Sequence, residues 1–126
     1  MTDANLQILV VDDYQTMVRI IKKLLKTIGY ENVDEAANGQ EALGKIKEKQ
    51  YGLIISDWNM EPMTGFDLLK AVRGDEATAK TPFILVTAES KPENVLAAQK
   101  AGVSSYLVKP FSAPALKEKI DAVLAA

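Results

Sequence analysis

Ile8-Leu9-Val10-Val11-Asp12-Asp13 decides the fold: four apolar residues with no polar alternation, then two carboxylates in succession. A run without alternation suits a strand buried on both faces, as a parallel sheet covered by helices on each side requires. The pattern of an apolar run ending in charge returns twice. Leu53 to Ile55 leads through Ser56 to Asp57, and Leu107-Val108 leads to Lys109. Side by side and parallel, these strands bring three carboxylates and one ammonium to a single crevice at their carboxyl ends, where open α/β sheets bind ligands.

Outward from these runs the chain alternates strand and helix. Met17, Val18, Ile20, Ile21, Leu24, Leu25 and Ile28 recur at the three-and-four spacing of an amphipathic helix, closed by Gly29. Phe83 to Val86 reads as a further buried strand, and Val33 to Ala36 and Tyr106 to Val108 as shorter ones. Asn38-Gly39 opens a segment with Ala42, Leu43 and Ile46 on one face, and Gly65 precedes Phe66, Leu68, Leu69 and Val72. Ser90 with Pro92 starts a helix carrying Val95, Leu96 and Ala98 inward. Ser112 with Pro114 starts the last, carrying Leu116, Ile120, Val123 and Leu124. Five strand-helix alternations predict an α/β fold with right-handed crossovers and helices on both faces of the sheet.

Bulk composition narrows the function. A chain of 126 residues has the size of one domain, and 48% apolar with 25% charged residues is ordinary for a globule. No apolar stretch is long enough to span a bilayer, and Met1 to Asn5 lacks the features of a secretory signal, so a cytoplasmic location and no membrane partner are expected. Cysteine is absent, which excludes thiol and disulfide chemistry. Histidine is absent too, which removes the commonest general base and the commonest transition-metal ligand. A net charge of −2 supplies no global attraction to nucleic acid, and none is expected as a partner.

Asp12, Asp13 and Asp57 against Lys109 leave negative charge in excess. Two carboxylates about 4 Å apart repel by roughly 4 kcal/mol at an effective dielectric near 20, so such a site raises a pKa or recruits a cation. Oxygen ligands alone select a hard ion, and so few carboxylates suggest Mg²⁺ retaining some waters. Asp12-Asp13 taken alone reads equally well as a cap on the first helix. Asp57 and Lys109 at other strand ends weigh against that blander reading, because an ammonium ending a buried strand is costly without an anionic partner.

Asp12-Asp13, Ser56-Asp57-Trp58-Asn59-Met60, Thr87-Ala88-Glu89 and Tyr106-Leu107-Val108-Lys109-Pro110-Phe111 together resemble the receiver domains of response regulators, over the whole chain. Among these the likeness is to single-domain chemotaxis regulators. The resemblance implies a flavodoxin-like, doubly wound five-stranded parallel sheet of order 2-1-3-4-5 with five helices, in one receiver domain spanning residues 1–126 with no output domain. It implies that Asp57 takes a phosphoryl group from a phosphohistidine on a chemotaxis-type histidine kinase. Mg²⁺ would be held by Asp12, Asp13, a carboxylate oxygen of Asp57 and the backbone carbonyl of Asn59, with Lys109 anchoring the phosphoryl oxygens. Thr87 would follow the new phosphoryl group and Tyr106 would turn inward behind it. Asn59 and Glu89 would tune dephosphorylation, with a phosphatase as a further partner.

A surface formed by the fourth helix, fifth strand and fifth helix, with Lys91, Tyr106 and Lys119, would meet the target, such as the flagellar motor switch protein. The protein would act as a monomer and, apart from catalysing its own phosphorylation and dephosphorylation, would not be an enzyme. The resemblance also implies a cis Lys109-Pro110 bond, whereas a bare X-Pro bond is usually trans. Met60-Glu61-Pro62-Met63-Thr64-Gly65 departs from the family, in which proline follows the methionine and aspartate precedes the glycine. Glu61 would then either assist the ion or disfavour the phosphoryl dianion.

Other functions fit parts of the pattern. A phosphate sink or a phosphorelay intermediate would use the same residues. A Mg²⁺-dependent aspartyl phosphatase needs a second aspartate two residues past its nucleophile, where Asn59 stands. A flavodoxin-type carrier needs a phosphate loop rich in hydroxyls and glycine, where Asp12-Asp13-Tyr14 would repel the flavin phosphate. A pure interaction module remains compatible with every strand and helix.

Overall fold

A computed structural model describes residues 5–61, 63–88 and 91–125. Five strands alternate with five helices: β1 (Ile8–Val11), α1 (Gln15–Ile28), β2 (Val33–Ala36), α2 (Gly39–Glu48), β3 (Leu53–Asp57), α3 (Gly65–Gly74), β4 (Phe83–Thr87), α4 (Pro92–Lys100), β5 (Ser105–Val108) and α5 (Ala113–Ala125). The strands form one parallel sheet in the order β2-β1-β3-β4-β5, as expected.

Side chains alternate across a strand, so each central strand feeds two cores. Ile8 and Val10, Leu53 and Ile55, and Ile84 and Val86 face α1 and α5, meeting Val18, Ile21, Leu25, Leu116 and Ile120. Leu9 and Val11, Ile54, and Phe83 and Leu85 face the other way, meeting Ala42, Leu68, Leu69, Val72 and Ala98. That double burial explains the unbroken apolar runs. Burying such side chains contributes roughly 1.5–3 kcal/mol each before chain entropy is subtracted. The edge strand β2 is less buried and carries Asp34 and Glu35, charges that discourage pairing with another chain.

Helix boundaries follow local chemistry. Gly29 ends α1 at φ 120°, a conformation that suits glycine, and its N–H donates to the Leu25 carbonyl. The Asn38 side chain accepts from the Glu41 N–H to start α2, and Ser112 accepts from the Ala115 N–H to start α5. Three expectations about faces are corrected. Ile20 on α1 and Leu96 on α4 are exposed, because each faces away from the sheet, and Leu124 is exposed in the last turn of α5. Phe66 is only half-buried and stacks on Trp58 at 5.3 Å between ring centroids, outside the main core. The expected cap of α4, Ser90, lies outside the described residues, and the N-cap position falls on Lys91. Among the described residues no helix is long and apolar enough to cross a membrane.

Candidate functional site at the carboxyl edge of the sheet

Sheet register sets the site. Val11 pairs with Ser56, Asp57 with Val86, and Thr87 with Val108, so Asp12, Asp57, Thr87 and Lys109 emerge at neighbouring strand ends. Backbone hydrogen bonds continue just past the strands. Asp12 N–H donates to the Ala36 carbonyl, Trp58 N–H to Val86 and Lys109 N–H to Thr87. These candidate positions therefore stand on hydrogen-bonded sheet backbone.

The acids and the amine converge as the apolar runs implied. Lys109 Nζ lies 2.9 Å from Asp57 Oδ1 and 3.5 Å from Asp12 Oδ2. Asp12 and Asp57 are buried, at 1% and 6% exposure, while Asp13 stands in solvent. One carboxylate oxygen from each of Asp12, Asp13 and Asp57 lies within 4.8 Å of the others. Asp12 does not cap α1 in the expected sense: the N-cap position is Tyr14, which makes no side-chain cap bond. Instead Asp12 Oδ1 accepts from the Tyr14 N–H at 2.9 Å, which aims the carboxylate along the crevice.

Burial raises the Asp12 pKa above its ordinary value. The Tyr14 N–H opposes that, the Asp57 charge adds to it, and Lys109 opposes it. Burial pulls the Lys109 ammonium the other way, but the hydrogen bond and charge of Asp57, then those of Asp12, outweigh it and leave its pKa raised. The lysine stays charged, and the pocket is short of positive charge. A hard divalent cation meeting three oxygen donors fits this donor set.

Thr87 is buried at the end of β4, and a side-chain hydrogen bond joins it to Tyr106. Tyr106 is half-buried and meets the Trp58 ring edge-on at 6.3 Å, its phenol pKa raised by burial. Asn59 is exposed on the loop after β3, in a groove of about 400 Å³ shared with Asp13, Met60, Glu61 and Thr64. Glu89 lies outside the described residues. Tyr106 and Lys119 line a second groove of about 320 Å³ with Val95 and Gln99, whereas Lys91 is exposed at the start of α4, beyond that lining. The Lys109-Pro110 bond is cis.

Two supports escaped the sequence reading. Gly65 packs so tightly on β3 that a side chain would overlap the Asp57 carbonyl oxygen. Its only signal was a glycine eight positions after the acid, at a helix start. Phe66 stacks on Trp58, and an aromatic pair eight residues apart across a loop carries no periodic signature.

A parallel sheet of this order, with a carboxylate cluster and a lysine at its carboxyl edge, defines a receiver. The chain belongs to the response regulator receiver domain family, whose profile matches residues 8–121. It is 48% identical over 118 residues to the chemotaxis protein CheY of Pseudomonas aeruginosa, covering 94% of this chain and 95% of that one. Among solved structures, Vibrio cholerae CheY4 superposes with a TM-score of 0.88 at 38% identity, covering 94% of this chain and 98% of the other. The receiver domain of the sensor histidine kinase PA1611 from Pseudomonas aeruginosa superposes at 0.87 with 25% identity, covering 98% and 100%, and has a magnesium ion coordinated in its active-site cleft.

Proposed function

We propose that this chain is a phosphorylation-activated switch of a chemotaxis-type two-component pathway, with Asp57 as the phosphoacceptor. The observation that carries this reading is the 2.9 Å contact between Lys109 Nζ and Asp57 Oδ1 inside a pocket shared with the Asp12 and Asp13 carboxylates. In this reading Mg²⁺ is held by Asp12, Asp13, Asp57 and the Asn59 carbonyl, as the ion in the PA1611 cleft suggests. When bound, the ion neutralises charge on the transferring phosphoryl group. The free carboxylate oxygen of Asp57 attacks phosphorus in line, the bond from phosphorus to the kinase imidazole nitrogen breaks, and the nitrogen keeps the electron pair and takes up a proton. No proton leaves Asp57, so a site without histidine lacks nothing.

Phosphorylation takes Asp57 from one negative charge to about two. The contact from Lys109 then passes to phosphoryl oxygens, and Thr87 donates its hydroxyl to one of them. Tyr106, already hydrogen-bonded to Thr87, follows it, and the change reaches the face of α4, β5 and α5 that carries Lys91, Tyr106 and Lys119. A histidine kinase supplies the phosphoryl group, and the target is the flagellar motor switch protein, a reading in keeping with the chemotaxis role in the relatives' names. Asn59 and Glu89 set how fast water removes the group. The test is intact mass after acetyl phosphate: one phosphoryl adduct is expected with Mg²⁺ and none with chelator. An adduct that forms equally without metal contradicts the reading.

A further inference from the structure

Glu61 is exposed, and among the described residues it makes no hydrogen bond or ion pair. It nevertheless lines the groove of about 400 Å³ that contains Asp13, Asn59 and Thr64, beside the mouth of the acidic pocket. Its carboxylate is not part of the three-acid cluster, so it is not a fourth ligand of that cluster. Described residues on either side of Glu61 are held in place. Met60 is buried before it, and after it Thr64 caps α3 in a reciprocal pair with Asp67. Glu61 therefore adds a solvent-exposed negative charge to the groove that also holds Asp13, one that physiological salt screens over a length of roughly 8 Å.

Any donor that reaches Asp57 brings a negative phosphoryl group past this mouth. Acyl phosphates arrive as dianions with no compensating positive charge. Donors with a phosphorus–nitrogen bond and a protonated nitrogen carry part of their own neutralisation, and that nitrogen is attracted by a carboxylate. Resting on the reading of Asp57 as acceptor, we infer that Glu61 is a specificity-determining residue that favours phosphorus–nitrogen donors over acyl phosphates. With acetyl phosphate, the bond from phosphorus to the carboxyl oxygen breaks and acetate departs. With phosphoramidate, the bond to the protonated nitrogen breaks and ammonia departs. In both, Asp57 Oδ forms the new bond to phosphorus.

The test compares phosphorylation rate constants for acetyl phosphate and phosphoramidate at saturating Mg²⁺, read by intact mass and Trp58 fluorescence. Mg²⁺ affinity is titrated separately. Glu61→Gln is expected to raise the ratio of acetyl phosphate to phosphoramidate rates by about two- to threefold, an effect of the size of one solvent-exposed charge. The gain should shrink as salt is added, and Glu61→Asp should keep the wild-type ratio. A Glu61→Gln ratio unchanged at saturating Mg²⁺, or one that moves only with metal occupancy, overturns the inference while leaving the acceptor intact. Wild-type protein labelled by neither donor removes the acceptor reading, and this inference with it.

Discussion

Asp12 and Asp34 are the same residue type held in opposite ways. Asp12 is buried among charges and its pKa is raised, so ionised Asp12 opposes folding, a cost that a bound cation would relieve. Asp34 on β2 is half-exposed. The Tyr51 hydroxyl donates to it at 2.7 Å and Lys49 Nζ at 2.9 Å, and these two contacts, in that order, hold its pKa below 3.8. A depressed folded value means stability that is present above pH 3.8 and lost as pH falls through the lower folded value. Tyr51 is the mirror case. Burial, then the Asp34 hydrogen bond and charge, raise its phenol, so its contribution is present below pH 10.0 and lost as pH rises beyond. Asp34→Asn is therefore expected to flatten the acid limb of a urea-denaturation stability profile and weaken the alkaline loss. Unchanged slopes in both limbs would mean that the triad contributes nothing to folding.

At the scale of elements, the start of α3 packs directly against Asp57. Its first residue, Gly65, leaves no room for a methyl against the Asp57 carbonyl, and its N–H donates to Trp58 O. Gly65→Ala forces either the end of β3 or the start of α3 to move. A loss of about 2–3 kcal/mol in stability is expected, measured by chemical denaturation, with slower phosphorylation from the displaced Asp57. Wild-type stability and rate together would show that the contact relaxes at no cost.

The same elements show what local sequence could and could not reveal. Gly29 and Asn38 announced their helix ends because capping is a property of a few adjacent residues. The inward face of α4 was misread at Leu96 because a nine-residue helix burying only Ala98 offers little periodicity. Ile20 was counted in the α1 stripe because an apolar residue at helical spacing looks the same from either side of the stripe's edge.

For the whole molecule, the convergence of Asp12, Asp57 and Lys109 was legible because Asp12 and Lys109 directly follow unbroken apolar runs and Asp57 follows one after Ser56, and parallel pairing leaves all strand ends on one side. Strand order was not legible from the residues. Pairing between strands far apart in the chain leaves no local mark, so the order 2-1-3-4-5 came from the resemblance to receivers. The bond between Thr87 and Tyr106 was hidden for the same reason, since it joins side chains of adjacent strands whose register only the sheet establishes. Charge, in contrast, was countable from the start, and the fold concentrates its acidic excess at the edge where a metal and a phosphoryl group would be handled.

The most direct measurement of the central claim is the chemical location of the phosphoryl group. After treatment with acetyl phosphate and Mg²⁺, borohydride reduces an acyl phosphate on an aspartate to homoserine, which peptide mass mapping assigns to a position. The account expects homoserine at position 57 alone, and none in Asp57→Asn. Reduction at any other aspartate, or label that persists in Asp57→Asn, would contradict it.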